Sequence, residues 1–209
     1  MKQFKTEQEA FWAGAFGNEY ANRNQGGGWV ANNMALFAKV LQRTQHIDSL
    51  IEFGANIGLN LQALHHLLPH AELSAIEINP HAVEQLEKLN LATLNQVYQQ
   101  SILEFKADKT WDMTLIKGVL IHINPDELHN VYQRLYDCSN QYICIVEYYN
   151  PTPVEMSYRG HSAKLFKRDF AGEMLDRFND LELVDYGFVY HRDPHFPQDD
   201  CTWFLLKKV

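Results

Sequence analysis

The chain has 209 residues, 46% of them hydrophobic, which is enough for one substantial α/β core and short for two independent domains. A formal net charge of −8 argues against nucleic acid as the main partner, because a phosphate backbone is held by a broad basic face. No uncharged apolar run reaches membrane-spanning length, and Met1-Lys2-Gln3-Phe4-Lys5-Thr6-Glu7 lacks the apolar core of a secretion signal, so a soluble protein with no membrane partner is expected.

Residues 6–44 read as helical and rich in aromatics, with Phe11, Trp12, Phe16 and Tyr20 along one stretch and a break at Gly26-Gly27-Gly28. This predicts a helical cap over residues 1–46 laid across a sheet. From Ile47 short apolar runs alternate with amphipathic ones, as a parallel sheet with crossover helices requires, with strands expected near 48–53, 72–77, 94–98, 111–116 and 141–147. Asn79-Pro80 and Asn124-Pro125 each place an Asn cap before a proline at the first helical position. Leu181–Tyr190 and Thr202–Lys207 then read as a closing antiparallel hairpin, joined by a polar turn region over 192–200. The expected organisation is one domain, 1–209, with a core over 47–209 and an insert at about 148–170. Cys138, Cys144 and Cys201 are odd in number and have no metal-ligand spacing, so reduced, buried thiols in the cytoplasm and no metal centre are expected.

The most informative stretch is Ser49–Gly58, where an apolar strand ends in an acid, Glu52, and turns through glycine into a helix. Gly54 lets the backbone pass close to a ligand without a Cβ in the way, Asn56 accepts left-handed geometry, and Gly58 lets the helix pack tightly. A second acid, Glu77, ends the next strand, where a carboxylate can accept both hydroxyls of a ribose. The pattern resembles the first motif of the class I S-adenosylmethionine-dependent methyltransferases, acid-x-Gly-x-Gly-x-Gly, with Glu52 as the acid and Asn56 in place of the middle glycine. A dinucleotide-binding fold is the nearest competitor, but the strict Gly-x-Gly-x-x-Gly is absent and a terminal antiparallel hairpin is what the methyltransferases add.

The resemblance implies a Rossmann-like sheet, S-adenosylmethionine as cofactor, and roles for particular residues. Ile78, beside Glu77, and Ser101 and Ile102, after the third strand, meet the nucleoside; Ser101 can hydrogen-bond and Ile102 can cover a ring face. Lys117 and Gly118, after the fourth strand, present backbone carbonyls to the methionine ammonium. His122 follows closely enough to face the transferring methyl group, although a histidine that only packs and caps a loop is the commoner case.

Between the fifth strand and the closing hairpin, Arg159, Lys164, Lys167 and Arg168 gather with His161 in an otherwise acidic chain. They read either as an anion site, with Arg159 gripping a carboxylate or phosphate, or as a solvated helix start paired with Asp169 or Glu173. Tyr148, Tyr149 and Tyr158 suit a sugar or nucleotide ligand and equally suit core filling. Phe11–Asn24, Tyr158–His161 with Lys164–Phe170, and Asp199–Phe204 resemble the methyltransferases associated with pseudaminic acid biosynthesis over nearly the whole chain. That resemblance implies that Tyr20 and Arg23 close over the cofactor, with Arg23 on its carboxylate. With Tyr158, His161 and His122 as catalytic candidates, the expected acceptor is a small anionic molecule, a nucleotide-activated or acidic sugar. Asp193, His195, Asp199 and Asp200 belong to the loop on the active face, as turn formers rather than metal ligands. The rival readings are an NAD-dependent reductase and a non-catalytic cofactor-binding protein.

Overall fold

The computed structural model describes residues 4–24 and 27–209. Met1–Gln3 of the N-terminal stretch and Gly26 of the glycine break lie outside the described residues. Three helices precede the sheet: α1 (Glu7–Ala13), α2 (Ala15–Arg23) and α3 (Gly27–Leu41). α1 starts with a capping box, in which the Thr6 hydroxyl accepts the Glu9 N–H at 3.2 Å and the Glu9 carboxylate accepts the Thr6 N–H at 2.9 Å. The helical run expected from residue 6 is divided at Gly14, whose backbone is extended and serves as the C-cap of α1 and the N-cap of α2.

The sheet then builds through β1 (Ser49–Phe53), α4 (Leu59–Leu67), β2 (Glu72–Glu77), α5 (Pro80–Lys88), β3 (Leu94–Gln99), β4 (Trp111–Lys117), α6 (Leu128–Cys138) and β5 (Ser139–Glu147). After β6 (Val154–Tyr158), β7 (His161–Lys167) and α7 (Phe170–Arg177), the chain closes with β8 (Leu181–Val189) and β9 (Cys201–Lys208). Seven strands lie in the order β3-β2-β1-β4-β5-β9-β8, the first five parallel and β9 antiparallel to both neighbours. The expected strands agree with the observed ones to within two residues at each end, and the expected closing hairpin is β8–β9.

The apolar runs of β1, β4 and β5 are continuous because both faces of the central sheet are covered. Ile51, Phe53, Ile116, Ile143 and Ile145 pack with α6 and α7 residues on one side, while Leu50, Leu115, Cys144 and Val146 pack with α3 and α4 residues on the other. The sequence reading contained no β6–β7 hairpin, which pairs as a separate two-stranded sheet. Its turn places Arg159 at φ 49° and Gly160 at φ 84°, between the paired Tyr158 and His161, which is the left-handed pair of a tight hairpin turn. No described helix is long and apolar enough to cross a membrane.

The parallel crossovers bring the C-terminal ends of β1 to β5 to one edge, and the strand order reverses between β1 and β4, opening a crevice there. Gly58 opens α4 at φ 80°, and a Cβ on it would stand 2.3 Å from Leu86 Cδ1 and 3.0 Å from Leu89 Cδ1. Its close contact is therefore with α5 and the residue after it, not with the strand. A Gly58→Ala variant combines left-handed strain with overpacking against fully buried Leu86 and is expected to lose about 2–3 kcal/mol of stability, read as a lower urea midpoint at unchanged slope. An unchanged midpoint would show that Leu86 yields freely.

Candidate functional site

A cavity of ≈ 230 Å³ occupies the crevice, with strand ends as its floor and α1 and α2 as its roof. Its lining takes Gly54 and Asn56 from the β1 exit, Glu77 and Ile78 from β2, and Ser101 and Ile102 after β3. Lys117, Gly118 and His122 enter from the β4 exit and Tyr20 from α2.

The β1 turn is bound to β2 before any ligand is considered. Gly54 and Ala55 donate their N–H groups to the Ile76 carbonyl at 2.8 and 3.1 Å. Gly54 has φ 79°, and a Cβ there would lie 2.6 Å from Val119, so its bareness also admits the segment after β4. Asn56 is left-handed, at φ 48°, and donates its N–H to Glu77 Oε2 at 2.7 Å. Glu77 Oε1 accepts the Asn79 N–H at 2.7 Å, so the carboxylate is fixed on both sides, and burial pushes its pKa up against these bonds. Glu52 lies fully buried under the turn and outside the lining. Asn60 donates to its Oε1 at 2.6 Å, Oε2 has no partner, and burial raises the carboxyl to about 7.

The β4 exit is clamped by a residue that the sequence reading did not assign to the site. Glu147, at the end of β5, accepts the N–H groups of Val119 and Leu120 on Oε1 at 2.9 and 2.8 Å, while Oε2 has no partner. An acid closing an apolar strand is the same signal as Glu52 and Glu77, and it was legible. Gly118, at φ 66°, precedes this clamp, with nothing within 4 Å of where a Cβ would stand. His122 ends the following turn (Leu120–His122), and its Nδ1–H donates to the Lys164 carbonyl at 2.5 Å, which leaves the lone pair on Nε2. Burial lowers its pKa to about 4, so the ring is neutral at physiological pH.

The roof supplies groups that sequence reasoning missed. Glu9 accepts the Ser101 hydroxyl, and Gln8 Nε2 donates to the Ala163 carbonyl at 3.1 Å. Asn79 Nδ2 donates to the Trp12 carbonyl at 3.0 Å and to Asn18 Oδ1 at 2.8 Å. Gln8 Oε1, Trp12 Nε1, Asn33 Oδ1 and Asn60 Oδ1 are buried, unpartnered, and belong to residues lining the cavity. Burial also raises the Tyr20 hydroxyl to about 12.

Other expected site residues are not brought to the cavity. Arg23 is exposed on α2, 3.7 Å from Glu19 and with its guanidinium 5.7 Å from the Phe16 ring centre, because its position on the helix faces away from the crevice. His161 is exposed and rests on Phe11 and Phe16. Tyr158 stands behind the lining, its ring 4.8 Å from His122. Tyr148 hydrogen-bonds Asp199, Lys167 Nζ lies 5.0 Å from the Tyr148 ring centre, and Tyr149 is exposed beside Phe204.

Lys164 pairs with Glu7 at 2.7 Å and Arg168 with Glu173 at 2.6 Å, the latter one of the two pairings that the helix-start reading of the basic window named. Arg159 occupies the hairpin tip, its guanidinium 5.8 Å from the Tyr158 ring centre. In the loop before β9, Asp199 reaches the lining, whereas Asp193 caps the N–H groups of His195 and Phe196 and Asp200 meets His191.

No family model matches the chain, and no curated protein sequence matches it. Solved structures do share its fold. Magnesium protoporphyrin IX methyltransferase from Synechocystis PCC 6803, solved with bound S-adenosylmethionine, superposes at a TM-score of 0.70 over 100% of both chains with 11% identity. The 1,6-didemethyltoxoflavin-N1-methyltransferase of Burkholderia thailandensis, solved with its substrate and S-adenosylhomocysteine, reaches 0.68 at 12% identity, covering 96% of this chain and 87% of that one. N-methyltransferase NodS from Bradyrhizobium japonicum reaches 0.64 at 13% identity, over 87% and 97%. The chain thus has the Rossmann-like methyltransferase fold expected from its sequence.

Glu147 provides a test of the clamp. Its carboxyl is raised from 4.5 to about 7, chiefly by burial, so the folded protein keeps a proton that the unfolded chain releases. The resulting stability is complete below pH 4.5 and is lost as pH rises through about 7. Glu147→Gln keeps an acceptor for the two N–H groups and cannot titrate. The difference in melting temperature between pH 5 and pH 8 should therefore be smaller than in wild type, and an identical difference would remove Glu147 from the titration.

Proposed function

We propose that the protein is a methyltransferase that takes S-adenosylmethionine and a small-molecule acceptor into this cavity. The observation that carries the reading is Glu77: a buried carboxylate at the end of β2, pinned by the N–H groups of Asn56 and Asn79, with lone pairs left for a ribose diol at the switch point of the sheet. The lining fits the cofactor elsewhere. Ser101 and Ile102 offer a hydroxyl and an apolar face to a purine, and bare Gly118 leaves the backbone beside Lys117 open to an amino-acid tail. The fold neighbours solved with S-adenosylmethionine or S-adenosylhomocysteine support the same choice.

Held by Glu77, Ser101, Ile102 and the backbone at Lys117–Gly118, S-adenosylmethionine would supply a methyl group on a sulfonium, with the carbon–sulfur pair leaving on S-adenosylhomocysteine as an acceptor lone pair takes the methyl and the acceptor gives up a proton. The protein's part is alignment and exclusion of water, done by the Glu147-clamped segment on one side and the α1–α2 roof on the other. His122 offers an unprotonated Nε2 to a donor on the acceptor. Against an NAD-dependent reductase, β9 is inserted antiparallel between β5 and β8, the terminal hairpin that a continued parallel sheet would lack. A sugar acceptor in surface-glycan synthesis rests on the resemblance to the pseudaminic acid-associated enzymes, and for an anionic one the lining offers Lys117 as its one Lys or Arg among the described residues.

Calorimetric titration tests the reading. S-adenosylhomocysteine should bind and NADH should not, and Glu77→Ala should weaken binding by roughly 10- to 100-fold, the cost of losing hydrogen bonds to a charged group. Heat with NADH and none with S-adenosylhomocysteine would reverse the assignment.

A further inference from the structure

We infer that the acceptor half of the cavity selects a flat ring carrying an amine and disfavours an anion. The inference rests on the methyl-transfer reading for one point, which half of the cavity the nucleoside takes. Glu77, Ser101 and Ile102 stand at the β2 and β3 ends of the sheet edge, whereas His122 and Asp199 lie beyond β4, toward β5 and β9. With the nucleoside on the first side, the acceptor occupies the second.

Rings wall that second side. Trp12 lies 4.6 Å from His122 and 5.2 Å from Tyr20, the latter at 90°, and Tyr158 backs His122 at 4.8 Å. Such faces hold a planar ring by stacking or edge contact, and their negative quadrupoles attract a cation.

Hydrogen-bonding capacity points the same way. Over the cavity as a whole, three of the four buried, unpartnered polar atoms on lining residues are acceptors, Gln8 Oε1, Asn33 Oδ1 and Asn60 Oδ1, and Trp12 Nε1 is the one donor. His122 Nε2 is a further acceptor, since Nδ1–H is committed to Lys164. On the acceptor's side the lone pair of His122 Nε2 calls for a ligand that brings an N–H or O–H donor.

Charge completes the case. On the acceptor's side the lining carboxylate is Asp199, which is exposed, while Glu77 and the Ser101-bonded Glu9 belong to the nucleoside side, and Lys117 is the one Lys or Arg of the lining among the described residues. Three cations of the basic window are engaged elsewhere, Lys164 with Glu7, Arg168 with Glu173 and Lys167 over Tyr148, and Arg159 rests over Tyr158, outside the lining.

An isosteric charge series tests the inference. Protein saturated with S-adenosylhomocysteine is titrated by calorimetry with tryptamine, indole-3-ethanol and indole-3-acetate. Tryptamine should bind tightest and exceed indole-3-acetate by on the order of tenfold, and Asp199→Asn should narrow that ratio. Indole-3-acetate binding as tightly as tryptamine would overturn the inference, as would no binding of any of the three to protein that holds S-adenosylhomocysteine. Failure of S-adenosylhomocysteine itself to bind would instead defeat the methyl-transfer reading, and this inference with it.

Discussion

Buried carboxylates tying loop N–H groups to strand ends are the constraint on which the site depends. Where a parallel strand stops, the following loop must leave the sheet with its backbone donors unpaired unless something accepts them. Glu77 takes Asn56 and Asn79, and Glu147 takes Val119 and Leu120. Burying a carboxylate is costly, and the raised pKa values of both groups show that the bonds do not fully offset that cost. What the arrangement secures is shape, because removing either acid leaves buried donors unsatisfied as well as a void, so the two loops have one low-energy conformation.

The roof is held on different terms. α1 has seven residues, too few for a helix that persists without support, and it is fixed by contacts to separate parts of the chain. Gln8 reaches the Ala163 carbonyl, Glu7 meets Lys164, Glu9 accepts Ser101, and Lys5 just before the helix pairs with Glu127. The Lys5 and Glu7 side chains are more than half exposed, at 52% and 65%, so those two ion pairs contribute little, and the buried Glu9–Ser101 bond and the packing of Trp12 on His122 carry most of the attachment. The floor of the cavity is thus built into the sheet, and the roof depends on a few long-range contacts.

That difference explains what could be read from the sequence. β1, β4 and β5 announced themselves because strands covered on both faces must be apolar throughout, and Asn56 because few side chains tolerate its backbone. β6 gave no such signal, since four of its five residues are exposed and neither face alternates. The basic window looked like an anion site because sequence displays charge density without its partners. Glu7 stands 157 positions from Lys164, and only the fold brings them together. Arg23 was closer to legible, since Glu19 lies one helical turn before it, the spacing of a surface pair. Glu147 carries the same mark as Glu52 and Glu77, an acid closing an apolar strand.

The charge of the cavity bears on its chemistry as much as on its selectivity. With carboxylates at both ends and rings between, the lining tolerates a positive charge anywhere along its length, on the side of Glu77 and Glu9 or on the side of Asp199. A neutral His122 adds no competing positive charge, because burial lowers its pKa against the opposing pull of the Lys164 carbonyl, which fixes the tautomer. An anionic ligand would face Glu9 and Glu77 at reduced dielectric, where repulsion is stronger than in solvent, and the exposed Asp199 at close to solvent strength. Under the proposed methyl transfer, a displacement that carries positive charge from a sulfonium to a neutral acceptor would place no negative charge beside Glu9, Glu77 or Asp199.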